Sequence, residues 1–511
     1  MELDGEINLN EKTTAEERLA KIRRFREEFL EFKTLFRAAF DELHSIVRTK
    51  ISRPGTYIRP HSDYPKKSTT DSGFPIFFES GFYDDKVARD YVGTVRPKGL
   101  LSFLSGGFDN EENDFPSGDA LKEFLKNREV GKKLFYIDYQ GEKQFSDYTV
   151  DGVIGSAVEK YFHRHGTNTE IDPKSRDLIL GPLMRGVVQS SHSVSLMVPI
   201  ALTHFDFERY RLSDTTYLAR IPERLQLSRA RMRSSGSGAS EQVVHAATHA
   251  FVSNGWTLDV DEVGDISRSL SSASENSLDA VDVFLGALRV ATGVKTGFAQ
   301  VIWVPRGWAI DYFCDLPPIY GTTARQYPSD FDDFAWTRQC PSVSLLEMDH
   351  VRRVYEQLND NNSEAVRLAT RRLSSCLTRS DSSDAVLDGT IGLELLLGDD
   401  QNQSLAYKLR LRAAALSWLE SEPEPAPEIA RKVKALYNAR SAIVHGVKPK
   451  RKKKAVDQDA DRDEENRFLA AELLRFVLRI LLANPDYLEP SKIDNDLILR
   501  GETDSSEAHD K

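Results

Sequence analysis

A chain of 511 residues exceeds what one core ordinarily serves, so two to four domains are expected, and 40% hydrophobic with 9% aromatic residues excludes global disorder. The formal charge of −11 excludes a general polyanion coat, which needs a basic excess to displace counterions, so any nucleic-acid contact must be local. Three cysteines, Cys314, Cys340 and Cys376, stand far apart without CxxC spacing; this argues against a disulfide framework or a cysteine-based zinc site and fits a reducing cytoplasm.

The acidic start MELDGEINLNEK lacks the basic-then-apolar pattern of a secretory signal, and the apolar runs LLRFVLRILLA and AVDVFLGALRV are short and interrupted by arginine, so no membrane segment is expected. Behind the capping-box pattern Thr14 to Glu17, the residues Ile22, Phe25, Phe29, Phe32, Phe36, Phe40, Leu43 and Val47 recur every three or four positions, which predicts a long helix filling residues 1–50. Such a stripe is more often a packing face than a ligand box. Turn formers dominate residues 51 to 80, read as loop or linker.

Residues 51–340 as a whole mix strand-like runs (KKLFYIDY, VSLMVPIAL, TTYLARI, GFAQVIWV) with helical stretches near 118–128, 151–164, 241–253 and 276–291. The pattern predicts an α+β region, with an internal boundary near 232–243 at the Ser/Gly-rich RSSGSGASEQ. From 345 to 484 strand signals nearly vanish and six helices are predicted, near 346–358, 362–378, 383–397, 402–420, 427–446 and 463–483. Beyond Asn484-Pro485, residues 485–511 read as a weakly ordered tail.

The fifth of these helices raises a question. Pro425 and Pro427 suit its start, and Ile429, Val433, Leu436, Ile443 and Val447 form its apolar row, yet the position that continues the row between Leu436 and Ile443 is Arg440. A guanidinium stays charged near neutral pH and is costly to bury unpaired, so it calls for an anion nearby. His445 follows five residues later, about 140° around an ideal wheel, on the flank shared with Tyr437 and Ser441. Gly446 suits the end of the helix. Six bases follow, Lys448, Lys450, Arg451, Lys452, Lys453 and Lys454, either a solvated loop balanced by the acids behind it or an RNA-binding loop that steers phosphate.

The spacing RxxxxH alone is weak, because 42 arginines and 11 histidines in 511 positions give about one such pair by chance. Context separates it. The stretch LYNARSAIVHG, with DGTIGLELLL and LAYKLRLRAAALSW upstream, is similar to the Apea-like group of the HEPN superfamily, whose helix ends in an RSxxxH-G arrangement. Many HEPN nucleases place Asn, Asp or His after the arginine, whereas Ser441 stands here. The resemblance covers residues 345 to 484 and implies a multidomain chain: an α+β N-terminal region and a C-terminal all-α HEPN helical bundle. It further implies a homodimer that brings two Arg/His motifs together and a metal-independent endoribonuclease of anti-phage (abortive infection) defence, with tRNA as a leading target.

The chemistry fits residue by residue. RNA carries its own nucleophile in the 2′-hydroxyl, so transesterification needs a proton carrier and charge stabilisation rather than a metal-activated water. Histidine exchanges protons near neutrality, a role for His445, and Arg440 would hold the phosphate. Ser441, Tyr437 and Glu394 are supporting candidates: Glu394 either orients Arg440 or is a surface acid, and Tyr437 either stacks on a base or packs. No metal ligands and no cofactor are expected, and cleavage should persist in EDTA.

Elsewhere, VVHAATHAF puts His245 and His249 at i and i+4, suitable for two metal ligands on a helix, but lacks the glutamate of HExxH and a third ligand; ordinary helix histidines are the simpler reading. FHRH, His163 and His165, reads as an edge strand or surface. TGVKTG and SGSGAS lack phosphate-loop context. The alternatives to a nuclease are a non-catalytic HEPN module for dimerisation or nucleotide binding and, more remotely, a metallohydrolase on His245 and His249. A toxic RNA cutter needs restraint, so the N-terminal region is expected to sense a phage-derived trigger.

Overall fold

The computed structural model describes residues 15–79, 88–95, 114–137, 143–232, 238–260, 263–271, 275–333, 340–399, 404–445 and 456–499. Helix α1 (Ala15–Ile51) carries the phenylalanine row; Phe32, Phe36, Phe40, Leu43 and Val47 are buried, while Phe25 remains exposed. Within the stretch read as linker, strands β1 (Lys66–Thr69) and β2 (Pro75–Phe78) pair as an antiparallel hairpin. Its turn uses Gly73 at φ +86°, and Phe74 and Phe77 enter a core, so the turn formers mark a reversal rather than a tether.

Helix α2 (Pro116–Lys126), the two-stranded β3 (Phe135–Ile137) and β4 (Lys143–Phe145), and helices α3 (Asp147–His165) and α4 (Pro173–Val188) follow. Leu121, Ile154, Val158, Phe162 and Leu180 close over the α1 row and make an N-terminal helical core. Ser146 caps α3 by accepting the Thr149 N–H at 3.3 Å, and Asp172 caps α4 from Ser175 at 2.9 Å.

The next elements are β5 (Ser191–Ala201), β6 (His204–Phe205), β7 (Arg209–Arg211), β8 (Thr216–Arg220), α5 (Glu223–Ala230), α6 (Glu241–His245), β9 (His249–Asp259), α7 (Val263–Leu270), α8 (Glu275–Thr292), β10 (Gly297–Pro305), β11 (Tyr320–Gln326) and β12 (Ser342–Val343). Six of the strands form an antiparallel sheet in the order β11-β10-β5-β9-β8-β7, and β12 pairs in parallel with β6. The unbroken apolar run of β5 follows from cover on both faces. Val194, Leu196, Val198 and Ile200 join Phe284 and Leu288 of α8, and Met197 turns the other way to Ile221, Ala250 and Ile302.

The helix expected over 241–253 stops at His245 and becomes strand β9 at His249. Arg229, fully buried, donates to the carbonyl oxygens of Val244, His245 and Ala247, acceptors that a continuing helix would need.

The C-terminal helices lie close to their expected bounds: α9 (Leu345–Asp360), α10 (Glu364–Thr378), α11 (Ser382–Leu397), α12 (Leu405–Leu416), α13 (Ala426–Val444) and α14 (Val456–Ala483). Ser344 and Glu347 form a capping box on α9; Ser363 and Asp381 cap α10 and α11. Gly389 and Gly392 let α11 lie against α14, since a Cβ there would come within 2.7 Å of Ala470 Cβ and 2.5 Å of Leu474 Cδ2 respectively. The sheet and the bundle share a core, in which Met348, Val351 and Leu358 of α9 meet Phe284 and Leu288 of α8.

The tail departs from expectation through residue 499. A 3-10 turn at Pro485–Leu488, the short α15 (Pro490–Lys492) and a π turn at Ile493–Ile498 fold back on the bundle. Ile493 is fully buried, and Arg412 of α12 donates to both carboxylate oxygens of Asp494, at 2.8 and 2.6 Å. An apolar anchor and a two-point ion pair order a segment whose composition suggested none. No helix among the described residues is long and apolar enough to cross a membrane.

Candidate functional site

Helix α13 begins as its prolines dictate, with Pro425 at the cap and Pro427 in the first turn. Ile429, Val433 and Leu436 are buried against the bundle, and Ile443 is half-buried. Arg440, in register with them, emerges at the rim: its side chain is 31% exposed, and its Nη2 lies 3.6 Å from Glu394 Oε1 of α11. The distance is too long for a hydrogen bond. Glu394 Oε1 is itself buried with no hydrogen-bond partner, and Arg440 makes none among the described residues.

Several other arginines of the bundle are bound more fully. Arg412 is held by Asp494, Asp399 and the Leu397 carbonyl, Arg467 by the carbonyls of Cys376 and Leu377, and Arg372 and the more exposed Arg379 by the buried Asp388 at 2.6 and 2.5 Å, whereas the half-buried Arg410, 5.2 Å from the Tyr407 ring centroid, resembles Arg440 in making no hydrogen bond among the described residues. Among the described residues Arg440 faces Glu394 without a hydrogen bond, which leaves its donors able to take a further anion. Glu394 occupies the last turn of α11, where the helix dipole disfavours a carboxylate, so its place is explained by the guanidinium it faces rather than by helix stability.

Tyr437 is half-buried, its ring centroid 5.3 Å from the Arg440 guanidinium carbon. Ser441, also half-buried, contributes its carbonyl oxygen, which accepts the His445 N–H at 3.0 Å. His445 is exposed at the helix end, at φ −89°, ψ 1°. Arg440, Tyr437, Ser441 and Glu394 thus occupy one rim, with His445 a turn further on. Gly446 and the basic run Lys448, Lys450, Arg451, Lys452, Lys453 and Lys454 lie outside the described residues.

The histidine pair weighed for metal is separated. His245 meets the Phe77 ring edge-on at 4.9 Å, and burial lowers its pKa to about 4, with Arg229 adding to the effect. His249 Nε2 stands 2.6 Å from the Phe207 carbonyl oxygen at the start of a strand. The i and i+4 geometry disappears with the helix that would have created it.

A different set appears instead, and it corrects the surface reading of His163. His163 is in the last turn of α3 with its side chain only 10% exposed, and His61, Glu159, His163 and Cys314 each bring one ligand-type atom within 4.8 Å of the others. Glu159 accepts the backbone N–H groups of Tyr91 at 3.2 Å and Val92 at 2.9 Å, and His163 Nε2 lies 2.9 Å from its Oε1. Burial opposes ionisation of Glu159, but His163, His61 and the Val92 amide outweigh it and lower its pKa. The sequence signal was available: Glu159 and His163 stand at i and i+4 on a strongly helical segment. His165, two residues on, packs on the Tyr161 ring at 4.5 Å and takes no part.

No protein-family description, curated protein or solved structure matches this chain.

Proposed function

We propose that the C-terminal bundle is a HEPN-type endoribonuclease whose reacting groups are Arg440 and His445. The observation that carries this reading is the unsaturated Arg440 guanidinium at the rim of α13, on the helix that ends at an exposed histidine. Arg440 would bind a phosphate oxygen and stabilise the charge that grows there as the pentavalent state forms. The 2′-oxygen attacks phosphorus and gives its proton to an imidazole, the bond from phosphorus to the 5′-oxygen breaks, and that oxygen leaves with a proton from an acid. The products are a 2′,3′-cyclic phosphate and a 5′-hydroxyl.

One imidazole per chain serves one of these two transfers at a time, which favours two copies meeting at the α13 ends. Exposed Leu395 and Val444, next to Glu394 and His445, give that contact an apolar component. The sheet-containing region would then restrain or trigger the nuclease, since α8 and α9 join the two parts through packed side chains. The phage-defence role and tRNA as target rest on the family resemblance.

The test is cleavage of a defined RNA by the full chain, with the ends identified by sequencing. Cyclic phosphate ends that disappear with His445→Ala, together with no cutting of the DNA counterpart, are the expected result. Equal cutting of DNA, or equal rates with and without the imidazole, would remove the nuclease reading and leave the non-catalytic bundle.

A further inference from the structure

We propose that His61, Glu159, His163 and Cys314 bind one zinc ion, or another thiolate-tolerant divalent transition metal, in a closed structural site that fastens two chain segments to helix α3. The donor set is two imidazoles, a carboxylate and a thiol, from segments more than 250 residues apart in sequence, and all four ligand-type atoms lie within 4.8 Å of one another. Ligand bonds of about 2.0–2.3 Å place tetrahedral zinc donors about 3.3–3.8 Å apart, so closure needs movements of about 1 Å, within the reach of side-chain rotation.

The cluster contains a group that the described residues leave unsatisfied. His61 Nε2 is buried and makes no hydrogen bond among the described residues; Glu159 Oε1 is 3.6 Å away. A buried imidazole nitrogen without a partner is costly, and a metal would satisfy it. Glu159 is held ready by the Tyr91 and Val92 amides, and its Oε1 faces both histidines. Such fixed outer partners are what orient metal ligands.

Cys314 supplies independent support. It is 1% exposed and adopts φ +48°, a left-handed conformation that a non-glycine residue pays for unless its surroundings impose it. Lys160, one residue after Glu159, imposes part of it by donating to the Asp315 and Leu316 carbonyl oxygens at 3.4 and 3.0 Å. The thiol is thereby turned toward α3 instead of being buried as a mere apolar filler. One thiolate and one carboxylate would balance the charge of a divalent ion, and the sulfur with two imidazoles selects zinc-like metals over magnesium or calcium.

Four protein donors leave no position for substrate, so the ion would act as a staple rather than a reagent. It would tie α3 to the segment around His61, which is hydrogen-bonded to residues 88–90, and to the loop after β10 that carries Cys314. The inference is independent of the nuclease reading.

The experiment is elemental analysis of the full chain purified without chelator or a metal-affinity step, followed by cobalt exchange. About one equivalent of zinc per chain is expected, and cobalt should give tetrahedral visible bands with a thiolate-to-cobalt absorption in the near ultraviolet. Cys314→Ser, nearly isosteric, should lose the thiolate absorption, and His61→Ala should lose the bound equivalent. No metal in the wild type and no cobalt spectrum would overturn the proposal, leaving a hydrogen-bonded Glu–His pair. So would a full equivalent retained with an unchanged spectrum in both variants, a comparison that does not depend on either variant being fully stable.

Discussion

The two polar clusters are built in opposite ways. The one around Glu159 gathers residues 61, 159, 163 and 314 from three stretches of chain into a buried space, whereas the one on α13 takes Tyr437, Arg440, Ser441 and His445 from nine consecutive residues and, among the described residues, meets Glu394 from another helix. The first depends on the whole fold for its geometry. The second is nearly fixed by one helix, whose last turn can be placed by its cap, its apolar row and its end. A cluster of the first kind suits a staple, and one of the second kind suits a rim open to a large partner.

The sharpest way to break this contrast is to remove the groups at the rim. Arg440→Ala and His445→Ala are each expected to lower RNA cleavage by about 10²–10⁴-fold, the usual worth of a positioned proton carrier or charge stabiliser. Because both side chains are partly or fully open to solvent, unfolding free energies should stay within about 0.5 kcal/mol of wild type in denaturant titrations. Loss of activity accompanied by a large loss of stability would make Arg440 a structural residue and erase the distinction between the clusters.

The next effect falls on the frame beneath α13. Asp494→Ala leaves the Arg412 guanidinium, 4% exposed, with only Asp399 and the Leu397 carbonyl. Losing one carboxylate from a half-exposed, charge-assisted pair while the guanidinium keeps its other partners costs about 1–3 kcal/mol. Urea unfolding should show a loss of that order, and a change below about 1 kcal/mol would mean that residues 485–499 rest on the bundle without supporting it.

Acid should act mainly outside the bundle. Burial holds the His245 pKa near 4, below the ordinary value of 6.5, so between those two pH values the unfolded chain binds more protons than the folded one. Stability therefore falls as pH drops from 6.5 and has lost this contribution fully by about pH 4, a cost of up to about 3 kcal/mol from the size of the shift. His44 on α1, also lowered to about 4 chiefly by burial and then by Arg48, adds in the same direction. His245→Leu should flatten the slope of stability against pH across this window, and an unchanged slope would assign the acid loss to other groups.

These differences also explain what the sequence reveals. Three of the six sheet strands, β5, β8 and β10, and the six bundle helices are readable because their apolar periods match their final partners, and the RSxxxH stretch is readable because its members are contiguous. Strand β9 reads as helix because VVHAATHAF is short, alanine-rich and without alternation; a buried arginine twenty residues upstream takes the carbonyls and decides the matter. The hairpin at 66–78 hides among turn formers. Cys314 and His61 carry no local pattern at all, since their meaning comes from the tertiary placement of α3, and only the Glu159–His163 spacing pointed there.

Glu394 gives the finest test, because activity and stability should respond differently. A partly exposed ion pair at 3.6 Å is worth about 0–1 kcal/mol, so Glu394→Gln should slow cleavage by about five-fold through looser placement of Arg440, an effect on kcat rather than on substrate binding. The same change removes a carboxylate from the C-terminal turn of α11 and gains about 0.3–1 kcal/mol from the dipole, which offsets the lost pair and leaves the unfolding midpoint nearly unmoved. A slower enzyme of unchanged stability is what an acid retained to orient a guanidinium should produce. A destabilised chain with an unchanged rate would instead make Glu394 part of the packing between α11 and α13, and Arg440 would then hold its position without it.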